Sequence, residues 1–257
     1  MTDATVIVHH NADELAQSVA ARIITSFVDA QSAGRVPHWV LTGGTIADQI
    51  HRAVAQSAAR HALDWSRVEF WWGDERYVAA DEESRNELQA RRTLLDLLPV
   101  DQRRVHPMPA ARENSDAEAD AAAYADTLSR AASPEDHGPV PLFDVLMLGV
   151  GPDGHVASLF PERPALYDER SVVAVRGAPK PPPTRLTLTM RSLQRAREVW
   201  FVVAGEEKAQ AVRLALSDAG VVQVPAAGPR GRARTLWMLD RAAASQLPPG
   251  LNRIASP

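Results

Sequence analysis

Residues 143–155 read Phe-Asp-Val-Leu-Met-Leu-Gly-Val-Gly-Pro-Asp-Gly-His. Phe143–Leu148 is short, apolar except for Asp144, and followed at once by glycine. A proline-bearing loop at Pro134–Pro141 precedes it. A run of that length between turn signals reads as a strand buried on both faces, as in parallel sheets. Moving outward, the same unit recurs. His38–Thr42 (HWVLT) ends in Gly43–Gly44, and Val68–Trp72 (VEFWW) ends in Gly73. Thr5–His9 opens the series, and Ser171–Val175, Arg185–Thr189, Val199–Ala204 and Thr235–Leu239 continue it.

Helical spacing fills the intervals. Asn11 and Glu14 stand in capping-box position ahead of Leu15, Val19, Ile23 and Phe27. Ile46, Ile50 and Val54 mark a second helix, and Leu88, Leu94, Leu95 and Leu98 a third, stopped by Pro99. Ser115 with Glu118 predicts another capping box, opening an alanine-rich helix to about Ala132. A last helix is expected over Glu206–Leu216. Strands alternating with helices predict an α/β fold with a mostly parallel sheet, here as one domain over residues 1–257. Such a sheet binds ligands outside the carboxyl ends of its strands. Thr42–Thr45, Gly73–Arg76 and Gly149–His155 all fall at strand ends of that kind.

Composition narrows the function. The chain has 257 residues, 45% of them hydrophobic, no cysteine, and a formal net charge of −4. Disulfides, thiolate metal sites and a cysteine nucleophile are excluded. The acidic balance does not favour nucleic acid or an anionic membrane as partner. MTDATVIVHH lacks the basic start and apolar core of a secretory signal, and no window holds about 18 uninterrupted apolar residues. The cytoplasm is therefore the expected location. Nothing in the sequence sets the oligomeric state, and a monomer is the working expectation.

Gly149-Val-Gly151-Pro-Asp-Gly154 matches the dinucleotide pattern G-x-G-x-x-G. That pattern needs a helix opening within the glycines. Pro161 and Pro164 leave room for a turn or two at most, so a nicotinamide or flavin cofactor is not expected. The run does present His155, with Asp153 two residues before it. Histidine is readily tuned as a base near neutral pH, and Asp153 is suited to fix its tautomer. The bland alternative is a histidine capping a turn. No G-x-S-x-G elbow and no H-E-x-x-H pair occur. His9–His10 read as incidental, Trp71 and Trp72 as core packing, and Arg230, Arg232 and Arg234 as a basic surface loop. Asp74–Glu75–Arg76, taken alone, reads either as a solvated charge run or as part of a site. Lys208 in a first helical turn opposes the helix dipole, which hints at a use.

Gly149–Pro161 (GVGPDGHVASLFP) resembles the signature of 6-phosphogluconolactonases. Trp72–Val78 (WGDERYV), Ser84–Arg91 (SRNELQAR), Leu41–Thr45 (LTGGT), Arg185–Thr189 (RLTLT) and Gly205–Lys208 (GEEK) are similar to further motifs of that family, in order along nearly the whole chain. The phosphate loop departs from the usual pattern, reading Thr42-Gly-Gly-Thr-Ile46 without the serine or proline. The resemblance implies a Rossmann-like three-layer sandwich and no metal or organic cofactor. It implies hydrolysis of 6-phospho-D-glucono-1,5-lactone in the oxidative pentose phosphate pathway, with that small phosphorylated sugar lactone as the partner. Carried over by motif, His155 is the general base, with Asp153, Asp74 and Arg76 as polar members of the site. Gly43, Gly44, Thr45, Arg185 and Lys208 are the positions brought to the phosphate.

Two rivals remain open to test. A hexosamine-6-phosphate deaminase/isomerase would carry an acidic residue just after the glycine–histidine segment, where this chain has Ala157-Ser-Leu-Phe-Pro161. A non-catalytic sugar-phosphate sensor would bind ligand without turnover.

Overall fold

The computed structural model describes residues 4–217, 219–248 and 253–255. Its strands are β1 (Ala4–His9), β2 (His38–Leu41), β3 (Glu69–Trp72), β4 (Asp74–Arg76), β5 (Phe143–Leu148), β6 (Val172–Val175), β7 (Arg185–Leu188), β8 (Ala196–Val203), β9 (Arg234–Asp240) and β10 (Arg253–Ala255). Its α-helices are α1 (Ala12–Ser32), α2 (Thr45–Gln56), α3 (Asn86–Thr93), α4 (Ala117–Ala131), α5 (Met190–Leu193) and α6 (Ala209–Ala215). Seven strands form one sheet in the order β10-β1-β9-β8-β5-β2-β3, with every pairing parallel. The expected α/β fold with a mostly parallel sheet is the fold observed.

Two of the expected strands leave that sheet. Val172–Val175 and Arg185–Leu188 pair antiparallel with each other, and Asp74–Arg76 pairs antiparallel with Arg185–Thr187, giving a separate sheet in the order β4-β7-β6. The reason is connection length. Nine residues separate β6 from β7, and a parallel crossover needs a dozen or more.

The core explains the element choices. Trp39, Phe70, Trp71, Trp72, Phe201 and Trp237 are almost wholly excluded from solvent. Phe201 and Trp237, neighbours across the β8–β9 pairing, stack with centroids 4.0 Å apart. Helix α1 buries Leu15, Val19, Ile23 and Phe27 on one stripe. Its cap residue is the expected one, Asn11 Oδ1 accepting from Glu14 N at 2.9 Å, but Glu14 Oε2 accepts from His10 N at 3.1 Å, one residue before the N–H that a capping box would use. At α4 the cap is one residue later than expected. Asp116 Oδ2 accepts from Ala119 N, whereas Ser115 Oγ accepts from Arg112 N and lies 2.5 Å from the Tyr77 hydroxyl. A carboxylate suits the positive end of the helix better than a hydroxyl, and Ser115 is taken up by Tyr77. The helix expected over Leu88–Leu98 stops at Thr93, and Leu95–Leu97 tighten into a 3₁₀ turn. Among the described residues, no helix is long and apolar enough to cross a membrane.

The topology creates one special position. From β2 the chain moves to β3 on one side, and from β5 it reaches β8 on the other. The crevice between the carboxyl ends of β2 and β5 is therefore a topological switch point.

Candidate active site

At that switch point lies a cleft of about 560 Å³. The loop after β2 contributes Thr42–Ile46, the loop after β5 contributes Gly149–Pro152 and His155, and the segment after β8 contributes Ala204, Gly205, Glu207 and Lys208. Asp74, Arg76 and Arg185 reach it from the small sheet, and Lys180 from the connection between β6 and β7. Arg76, Lys180, Arg185 and Lys208 outnumber Asp74, Glu207 and Asp240 along the wall, although the whole chain carries a net negative charge.

His155 sits where the glycine run turns back on itself. Gly151 N donates to His155 O at 3.0 Å, and Gly154 N to Gly151 O at 2.9 Å. No helix opens within these glycines: Val156 and Leu159 form a bridge, and the next helical turn is a 3₁₀ segment at Pro164–Tyr167. His155 Nδ1 lies 2.5 Å from Asp153 Oδ1, and its ring packs on Phe160 with centroids 4.6 Å apart. Burial tends to raise the Asp153 carboxyl, but the hydrogen bond and charge of His155 outweigh it and hold it below the usual range. A carboxylate only accepts, so the proton of a neutral ring resides on Nδ1 and the lone pair on Nε2. Among the described residues, no protein group bonds to Nε2. A Cβ on Gly151 would lie 2.1 Å from ring atoms of His155. This glycine is a steric requirement of the histidine's position.

The charged run after β3 is not a solvated face. Glu75 is fully buried, and its carboxylate accepts from Arg76 N at 2.7 Å, Asn86 N at 2.8 Å and Glu87 N at 2.8 Å. It thereby caps α3. Burial pushes the Glu75 carboxyl up, opposed by buried Arg85 at 3.8 Å and by these N–H groups. The cap places Asn86 at the cleft. Asn86 Nδ2 donates to Asp74 O at 2.9 Å, and Arg76 Nη1 donates to Asn86 Oδ1 and to Ser84 O. The amide of Asn86 covers Gly43 so closely that a Cβ there would meet Oδ1 at 1.8 Å. Asp74 Oδ2 accepts from buried Ser158 Oγ at 2.6 Å, so Ser158 is engaged as a donor to a carboxylate.

The remaining walls are also held. Gln89 clasps the Gly44 peptide, accepting from its N–H at 3.1 Å and donating to its C=O at 3.0 Å. Gly44 has φ of +99° and precedes the first turn of α2, whose Thr45 and Ile46 line the cleft and whose first backbone N–H groups have no partner within the helix. Asp240 accepts from Gly205 N and Ala243 N, fixing the turn that carries Lys208. Lys208 Nζ is 2.8 Å from Glu207 Oε1. Among the described residues, no group of three or more acidic or imidazole side chains is arranged to hold a metal ion.

The sequence pattern of the family described as glucosamine-6-phosphate isomerases/6-phosphogluconolactonase matches residues 10–237. The chain belongs to this family. It is 54% identical to the 6-phosphogluconolactonase of Streptomyces coelicolor over 254 residues, covering 98% of this chain and 97% of that one. It is 44% identical to the 6-phosphogluconolactonase of Mycobacterium tuberculosis over 248 residues, covering 95% and 99%. The solved structure of 6-phosphogluconolactonase from Trypanosoma brucei superimposes with a TM-score of 0.80 at 28% identity, covering 96% of this chain and all of the other.

In this member of the glucosamine-6-phosphate isomerase/6-phosphogluconolactonase family, His155, Asp74, Arg76, Gly43, Gly44, Thr45, Arg185 and Lys208 all line the one cleft, and Asp153 stands behind His155. Sequence reasoning missed four contributors: Glu75, Asn86, Gln89 and Lys180. Glu75 lies inside the WGDERYV motif and Asn86 and Gln89 inside SRNELQAR, but a motif does not say which neighbour each of its side chains will touch. The Gly43 contact with Asn86 exists only once α3 is docked on the β2 loop.

Proposed function

We propose that this chain hydrolyses 6-phospho-D-glucono-1,5-lactone to 6-phospho-D-gluconate, the second step of the oxidative pentose phosphate pathway, with His155 as general base. The observation that carries the reading is the pairing of His155 Nδ1 with Asp153 Oδ1 at 2.5 Å, which leaves Nε2 available to the cleft. Nε2 takes a proton from water as the water oxygen attacks C1 and the carbonyl oxygen gathers charge. Collapse of that adduct breaks the bond from C1 to the ring oxygen, which receives the proton back from the imidazolium. The sum is the addition of one water. Asp153 stabilises the imidazolium between the two proton transfers. The excess of cations along the wall suits a phosphate, whose binding energy positions a carbon distant from it.

General-base catalysis is worth roughly 10²–10⁴-fold. His155→Ala should therefore slow lactone hydrolysis at least about 10²-fold, with an unchanged circular dichroism spectrum. The measurement is acid release from freshly generated lactone, with spontaneous hydrolysis subtracted. Near-normal turnover by the variant would sink the base assignment. Ammonia release from glucosamine 6-phosphate by the wild type would replace the proposed reaction with the deaminase one.

A further inference from the structure

The four cations of the cleft wall are not equally free to meet a ligand. Lys208 Nζ is held by Glu207 Oε1 at 2.8 Å. Arg76 Nη1 is spent on Ser84 O and Asn86 Oδ1. Arg185 is more fully committed. Its Nε donates to Pro182 O at 2.9 Å, and its Nη2 donates to Lys180 O at 3.1 Å and Pro181 O at 3.3 Å. Its Nη1 faces Asp74 Oδ2 at 4.0 Å. Burial lowers the pKa of this guanidinium, opposed by Asp74. Lys180 lines the same cleft, and among the described residues its ammonium has no hydrogen-bond or ion-pair partner.

The loop explains why. Residues 181–183 are consecutive prolines, which have no N–H and leave their carbonyls without secondary-structure partners. Arg185 supplies those partners from below, while Ala178 N closes the loop on Pro183 O at 2.9 Å. The proline ring restricts the backbone of the arm, and the guanidinium fork pins three successive carbonyls. Lys180 is carried at the end of a stiff arm from the small sheet and lines the same cleft as Gly44 and Lys208 of the large one.

We propose that Lys180 is the side chain that selects for the phosphate of the substrate, and that Arg185 is a positioning residue whose main task is to hold the Lys180 arm over the cleft. This assignment rests on the phosphorylated-lactone reading above. It shifts the phosphate contact expected of Arg185 to a residue that sequence motifs did not single out. An ammonium with all three donors free is a better ligand for a dianion than a guanidinium with one nitrogen left.

The test compares Lys180→Met, Lys180→Arg and Arg185→Lys with wild type on 6-phosphogluconolactone and on unphosphorylated glucono-1,5-lactone. Lys180→Met should lose at least about tenfold more kcat/KM on the phosphorylated lactone than on the plain one, mostly in KM, and Lys180→Arg should recover most of it. Arg185→Lys should show the same selective loss, because the arm is released. Equal losses on both lactones, or no loss, would overturn the role of Lys180. Calorimetric binding of 6-phosphogluconate separates this failure from failure of the reaction itself. A wild type that binds 6-phosphogluconate without turning over lactone would remove the proposed activity, and weaker binding by Lys180→Met would still uphold the phosphate contact. Equal binding by wild type and variant, or none by either, would refute it.

Discussion

At the scale of single residues, the site depends on what is missing as much as on what is present. Gly151 leaves room for the His155 ring, and Gly43 leaves room for the Asn86 amide. Gly151→Ala should therefore act as a catalytic lesion without touching a reacting group. The new methyl would lie 2.1 Å from the ring and 2.6 Å from Asp153 Oδ1, so the pair must move. A displacement of about 1 Å costs on the order of 10²-fold in rate. Steady-state kcat on fresh lactone is the measurement, and an unaltered kcat would contradict the steric account. Gly149–His155 was conspicuous in the sequence because glycines and a histidine at a strand end are local signals. Glu75 was not. Asp74–Glu75–Arg76 in isolation looks like a surface run, and the burial of its middle carboxylate follows from α3 docking above it.

At the scale of elements, helix α3 and strand β4 stabilise one another through Glu75. Removing the Glu75 carboxylate leaves three backbone N–H donors without their acceptor and takes from buried Arg85 the more distant of its two carboxylates, Glu87 remaining at 2.9 Å. Glu75→Ala should destabilise the protein by about 3–5 kcal/mol, read as a lower urea midpoint at unchanged slope, and Glu75→Gln should lose less because the amide oxygen still accepts. Equal stability of all three proteins would remove Glu75 as the cap of α3. Periodicity and glycine punctuation located most strands and the long helices α1, α2 and α4. Their limits are instructive. Ser115 had the spacing of a cap but was recruited by Tyr77, leaving Asp116 to take the role. Strands β6 and β7 had the composition of parallel-sheet strands, yet the short connection between them decides their antiparallel pairing. Connection length was visible in the sequence, and its consequence is topological rather than compositional.

At the scale of the whole molecule, buried histidines make the fold sensitive to acid. His51 is fully buried on α2, edge-on to Trp39, and desolvation pushes its pKa down to about 4. The unfolded chain titrates near about 6.5. Above that pH neither state is charged and the full stability is present. Between about 6.5 and 4 the unfolded state binds a proton that the folded state refuses, and stability falls by roughly 3 kcal/mol from this residue. Burial lowers His9 and His38 as well, which adds to the same slope. Urea unfolding across that range should show the decline, and His51→Leu should flatten part of it; a variant with the wild-type slope would exclude His51 as the source. A second consequence follows from strand order. β1 is made first, yet its neighbours in the sheet are β9 and β10, aligned with it from Ala4 against Thr235 and from Val6 against Arg253. On the ribosome, β2, β3, β5 and β8 are available to pair long before β1 has anywhere to go. Until β9 and β10 have been made, Val6 and Ile7 belong to a sticky strand without its sheet partners. Emergence of β9 is thus the event that covers this edge, and a chain interrupted before β9 keeps it open to aggregation.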